Sequence, residues 1–185
     1  MMPAMPNPPR SSSSLLAIAA CIDRLNAAIG RAASWLVLAV VGIEFALVLM
    51  RYAFGAGSVW LSEAVIYAHA ALFLLAAAWT LREDGHVRVD IFYAQARPRT
   101  KALVDLAGAL LLLLPFTAAL LWLAGPYALR SWAILERSHE SSGIPAVFLL
   151  KSLIPLFAAL LALQGLAQAI RAATALRAGA GTETR

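Results

Sequence analysis

Glu44, Glu63 and His69 stand inside otherwise apolar stretches of this chain, and Lys151 sits one turn inside the start of another. An ionisable group within a bilayer costs at least ~2.5–3.5 kcal/mol on insertion scales, so each needs a partner or a task. Glu44 shares a helical face with Val48, Arg51 and Tyr52, at steps of four, seven and eight. Such a carboxylate could bind a proton or a cation, as in drug/proton antiporters; the plainer role is a hydrogen bond to another helix. With no second acid at its depth, the plainer role is favoured. Glu63 forms one face with Trp60 and Tyr67. Arg51, Glu63 and Lys151 fall at similar depth near the outer ends of three spans, and an Arg51–Glu63–Lys151 network is expected there. His69 could ligate haem only with a second histidine at matching depth, and His86 and His139 both fall in connectors.

No other grouping suggests catalysis. There is no cluster of metal ligands, no nucleophile beside a base and no Gly-rich phosphate loop, so neither an enzyme nor a cofactor is expected. Asp84-Gly85-His86 and Arg88-Val89-Asp90 could be imagined as a ligand site. Asp-Gly is a turn signal, however, and the alternating valines suit a short extended or interfacial segment. Gln164 and Gln168, one turn apart, are expected to make interhelical hydrogen bonds. A single cysteine, Cys21, excludes an intrachain disulfide.

These residues must be positioned by elements that live in lipid. Hydrophobic content is 62% and charged content 14%, against roughly 45–50% and 25% in soluble domains. Mean hydropathy is +0.78. The net charge of +5 could suggest nucleic acid, but the basic residues flank apolar runs, which points to membrane orientation and no nucleic-acid partner. Four runs, about 32–52, 59–81, 104–127 and 146–170, meet the roughly 20 residues a spanning helix requires. They lack the period-two alternation of barrel strands. Pro115 and Pro155 are expected to bend their helices. The stretch from Gly125 to Gly143 reads as the main periplasmic loop, with room for a short helix within it, and Ser142-Gly143-Ile144-Pro145 as a turn into a helix.

Residues 1–14, rich in Pro and Ser, are expected to be a disordered tail, and 173–185 a second tail. Residues 15–31 place Leu15, Ile18, Ile22, Leu25 and Ile29 at steps of three and four, the pattern of an amphipathic helix lying in the cytoplasmic interface. Ile18-Ala19-Ala20-Cys21 resembles a lipoprotein cleavage site, but the apolar run before it is too short for a signal peptide. The connector 82–101 holds five of the fifteen basic residues. With the N-terminus inside, eleven fall on the cytoplasmic side and only Arg51, Arg130, Arg137 and Lys151 outside. The expected class is an all-α membrane protein: four transmembrane helices preceded by an amphipathic interfacial helix, both termini cytoplasmic.

Arg51-Tyr52-Ala53-Phe54, Trp60-Leu61-Ser62-Glu63 and Gly85-His86-Val87-Arg88-Val89-Asp90 resemble, in order and spacing, a known family. It is the small four-helix membrane subunit (DctQ-like) of tripartite ATP-independent periplasmic (TRAP) transporters. Ser141-Ser142-Gly143-Ile144-Pro145, Lys151-Ser152, Pro155 and Gln164-Gly165 are similar to the branch labelled for mannitol/chloroaromatic or 2-oxo-acid substrates. The resemblance covers roughly residues 25–172. It implies a non-enzymatic subunit of a bacterial inner-membrane secondary transporter, with a large membrane subunit and a periplasmic substrate-binding protein as partners. It also implies structural or subunit-interface roles for Glu44, Arg51, Tyr52, Trp60, Glu63, His86, Arg88, Asp90 and Lys151. Many relatives carry paired acids after the tryptophan; Ser62 replaces the first here, which puts in doubt any contact needing two carboxylates. The competing readings are an autonomous four-helix drug antiporter using Glu44, against which the long connectors argue, and a cytochrome-type anchor using His69.

Overall fold

A computed structural model of the chain describes residues 10–87 and 93–180. Local chemistry explains most helix boundaries. α1 (Arg10–Ser34) and α2 (Leu36–Phe54) meet at Trp35, whose φ of −65° and ψ of −21° keep the chain almost helical. The apolar part, Ser14–Phe54, has 41 residues. At 1.5 Å per residue that is about 60 Å, twice a hydrocarbon core. α2 alone therefore has the length to cross. α2 stops at Gly55, which takes a φ of 60° and returns its N–H to the Met50 carbonyl. Glycine adopts this left-handed conformation without steric cost. Three residues on, Ser58 accepts the Leu61 N–H at 3.3 Å and opens α3 (Val59–Arg82). So short a turn makes α2 and α3 antiparallel neighbours. α3 ends in the expected Asp-Gly turn: Asp84 has a φ of 53°, and the Gly85 N–H donates to the Thr80 carbonyl at 2.9 Å.

The third apolar segment is longer than its hydropathy suggested. Pro98 opens α4 (Pro98–Ala107), a π-helical turn follows at Gly108–Leu113, and α5 runs from Leu114 to Ala133. Pro115 has no N–H to give and crowds the preceding turn, and the wider π turn lies immediately before it. Thr117 Oγ1 donates to the Leu113 and Leu114 carbonyls, both at 3.0 Å. The loop expected from Gly125 is corrected here, because α5 continues through Pro126 to Ala133. Packing overrides the breakers: Ala128 and Ser131 are buried, and Trp132 lies edge-on against Phe148 with centroids 4.5 Å apart. Trp132 Nε1 also donates to Ser152 Oγ at 2.7 Å. α6 (Val147–Ala180) carries Pro155 and extends well beyond the last apolar residues of its span.

Among the described residues there is no strand, and four helical stretches are long and apolar enough to cross a membrane. Small side chains fill the interior: Ala19, Ala27, Ala33, Ala78, Ala109, Ala124, Ala158 and Ala167 are buried, while Phe45, Phe73, Leu111, Leu123 and Leu129 face outward. Lipid is as apolar as leucine, so helices associate through close approach of small residues. α1 obeys the same rule. Of its apolar stripe, Leu15, Ile18 and Leu25 are exposed, and the packed face is Ala19, Ile22, Asn26, Gly30 and Ala33. That face lies on α3 and α6 and not on lipid alone. α1 also begins at Arg10, inside the stretch expected to be a tail.

Candidate functional site

The α5–α6 loop is held at one end of the bundle by two carboxylates. Glu63 reaches it from the first turns of α3: one oxygen accepts the Ser138 hydroxyl and the other accepts the Ile144 N–H at 2.5 Å. Ser138 in turn accepts the Glu140 N–H at 3.1 Å and gives its own N–H to the Ile144 carbonyl at 3.3 Å. A Cβ on Gly143 would stand 2.5 Å from Ser138 Cβ and 2.6 Å from Glu63 Oε1, so only glycine fits beside this clip. Glu136 supplies the second anchor. It accepts Lys151 Nζ at 2.7 and 2.5 Å, and that ammonium lies 4.3 Å from the Tyr127 ring centroid. The hydrogen bond from Lys151 holds the Glu136 carboxyl below the ordinary carboxylate range. Just before it, Leu135 adopts a φ of 45°, a conformation a branched side chain takes only under constraint. This turn swings Glu136 back toward α6.

The expected Arg51–Glu63–Lys151 network is thus replaced by two separate clips. Lys151 pairs with Glu136, Glu63 holds backbone and hydroxyl, and among the described residues no ion pair reaches Arg51. Charge and depth were legible in the sequence, but the continuation of α5 that delivers Glu136 was not. Arg51 instead lines a groove between α2 and α3 with Glu44, Val48, Tyr52, Ser58 and Ser62. Tyr52 and Trp60 are exposed.

At the other end, side chains that sequence reasoning had not paired tie α1 to α6. Asp23 accepts Arg171 at 2.5 Å and Gln164 Nε2 at 3.0 Å, and Asn26 Nδ2 donates to Gln164 Oε1 at 2.7 Å. Asn26 and Gln164 are each 1% exposed. Two polar residues, Asp23 and Asn26, on the packed side of an apolar helix were the available signal. Nearby, Tyr93 donates to the Asp105 carboxylate at 2.8 Å. His86 is exposed in the connector, and Arg88 and Asp90 lie outside the described residues.

These arrangements hold helices and loops together. Among the described residues no three His, Cys, Asp or Glu side chains group as metal ligands, and His69 stands on an exposed helix face without a second histidine. Comparison with curated proteins and with solved structures gives no match. A family model does match, over residues 40–175, and its description is tripartite ATP-independent periplasmic transporters, DctQ component. The match lends no support to an autonomous drug antiporter. With most of its length covered and four helices fit to span a membrane, the chain belongs to the DctQ family, the small-subunit component of TRAP transporters and a transporter component rather than an enzyme.

Proposed function

We propose that this chain pairs with a large membrane subunit in the bacterial inner membrane and widens its immobile scaffold. The transporter it serves uses an ion gradient to take up an organic acid, in the mannitol/chloroaromatic or 2-oxo-acid branch, delivered by a periplasmic binding protein. The observation that carries this reading is α2: a helix long enough to cross a membrane that buries none of its residues within the chain. A span so poorly covered suits a larger partner. Among the described residues the hydrogen-bonded carboxylates lie in end clips, and Glu44 stands alone at mid-span on an exposed face, which fits a scaffold better than a conduit. Both termini are cytoplasmic in this reading, because eleven of the fifteen basic residues then lie inside. The clipped α5–α6 loop faces the periplasm, where it helps the binding protein dock. The helix 10–34 lies at the cytoplasmic interface, its large apolar side chains toward lipid.

The test is affinity purification of the tagged chain from cells co-expressing the large subunit, followed by uptake in proteoliposomes supplied with the binding protein. The expected result is a stable two-subunit complex and uptake that requires this chain. Purification of the chain alone, with gradient-driven transport of cationic drugs in vesicles, would overturn the reading in favour of the antiporter.

A further inference from the structure

The groove between α2 and α3 carries a carboxylate at a depth lipid does not tolerate, and its other polar groups run from there to the α2–α3 turn. Glu44 stands about 12 Å from the start of α2 and about 15 Å from its end, at mid-span by the rise of a helix. It is exposed, and among the described residues no side chain or backbone group bonds to it. Seven residues further, about 10 Å along the same face, Arg51 makes no ion pair among the described residues, and Ser58 and Ser62 extend the polar wall from α3. The groove they line encloses about 380 Å³. Acyl chains offer no donor to a carboxylate at this depth. A second copy of the chain is equally unsuitable. Two copies inserted in the same direction around an axis normal to the membrane set Glu44 opposite Glu44 and Arg51 opposite Arg51, like against like.

We propose that this groove seats a membrane-spanning helix of the large subunit, one that presents a hydrogen-bond donor to Glu44 and an acceptor to Arg51. The proposal rests on the partnership argued above and adds where, and by what chemistry, the partner is held. Charge complementarity selects the occupant: a donor at mid-depth and an acceptor about two turns nearer the α2–α3 turn. Tyr52 and Val48 supply the flanking contact surface.

The test uses the full chain in complex with its large subunit, with Cys21→Ala as background. Val48→Cys in the groove and Leu123→Cys on α5, 49% and 69% exposed, are labelled with a benzophenone maleimide and irradiated. The expected product at position 48 is an adduct with the large subunit, several times more abundant than at position 123. In parallel, Glu44→Leu lowers the co-purified large subunit by roughly three- to thirtyfold, the range one interhelical hydrogen bond spans, and Glu44→Gln lowers it less. Adducts at position 48 with lipid or with a second copy, equal adducts at both positions, or unchanged co-purification for Glu44→Leu would each overturn the groove assignment while leaving the partnership standing. If the unmodified chain brings down no large subunit, both fall.

Discussion

The Glu63 carboxylate meets the Ile144 N–H at 2.5 Å across 81 positions of chain. A residue in the first turns of α3 therefore sets where the α5–α6 loop closes. Its other oxygen takes the Ser138 hydroxyl, so the loop is gripped on both sides. Glu63→Gln keeps one acceptor oxygen and Glu63→Ala keeps none. Trypsin cleavage after Arg137, followed by mass spectrometry on detergent-solubilised protein, is expected to rise for Gln and rise severalfold further for Ala. Equal rates in all three proteins would mean that the loop is held by something else.

Gly143 makes this clip sterically possible. A methyl group there would press on Ser138 Cβ at 2.5 Å and on Glu63 Oε1 at 2.6 Å. Neither neighbour can retreat without breaking the hydrogen bond between them. Gly143→Ala is expected to cost about 1–3 kcal/mol, as overpacking does, visible as a lower thermal midpoint in detergent. Set in a Ser138→Gly background, which already lacks the hydroxyl and its Cβ, Gly143→Ala should cost less than it does in the parent. An equal cost in both backgrounds would count against crowding as the cause.

Acid should release the second anchor. Hydrogen bonding from Lys151 lowers the Glu136 carboxyl in the folded chain below its ordinary value of 4.5. Its contribution to stability is fully present above 4.5 and disappears as pH falls through the lower, folded value. The difference in thermal midpoint between the parent protein and Glu136→Gln should be constant from pH 7 to about 5 and shrink toward zero at lower pH. A difference that grows on acidification would reverse the assignment.

How far the sequence anticipated these features depended on the kind of signal. Apolar length marks spans directly, because a bilayer demands it, and Asp84-Gly85 marks a turn because its backbone geometry is local. Glu136 and Lys151 were both visible as charges. Their pairing required α5 to run past Gly125-Pro126, which only the packing of Trp132 on Phe148 and Ser152 decides. For α1 the spacing of Leu15, Ile18 and Leu25 marks an apolar stripe but not the face that meets the bundle. In lipid the small residues pack, and Gly30 lies so close to Trp79 that an added Cβ would fall 2.8 Å from the ring. Arg51 was assigned by depth alone, and depth does not specify a partner.

Asn26 and Gln164 offer the sharpest test of how α1 is held. Their bond, at 2.7 Å, joins two side chains that are each 1% exposed, and Gln164 passes the connection on to Asp23 and thus to Arg171. Interhelical hydrogen bonds in membranes average only about 0.6 kcal/mol in double-mutant cycles, whereas an orphaned buried polar group costs about 1–3 kcal/mol. Asn26→Leu leaves the Gln164 carbonyl without its donor, and Gln164→Leu also strips a partner from Asp23. Each single variant should therefore lose more than the bond alone is worth, about 1 kcal/mol or above. In the double variant the orphaned Gln164 carbonyl is gone, so the losses should be less than additive, with a coupling of about 0.6–1.7 kcal/mol in reversible unfolding. Strict additivity would mean that the two side chains act independently and that α1 is held by its small-residue face alone.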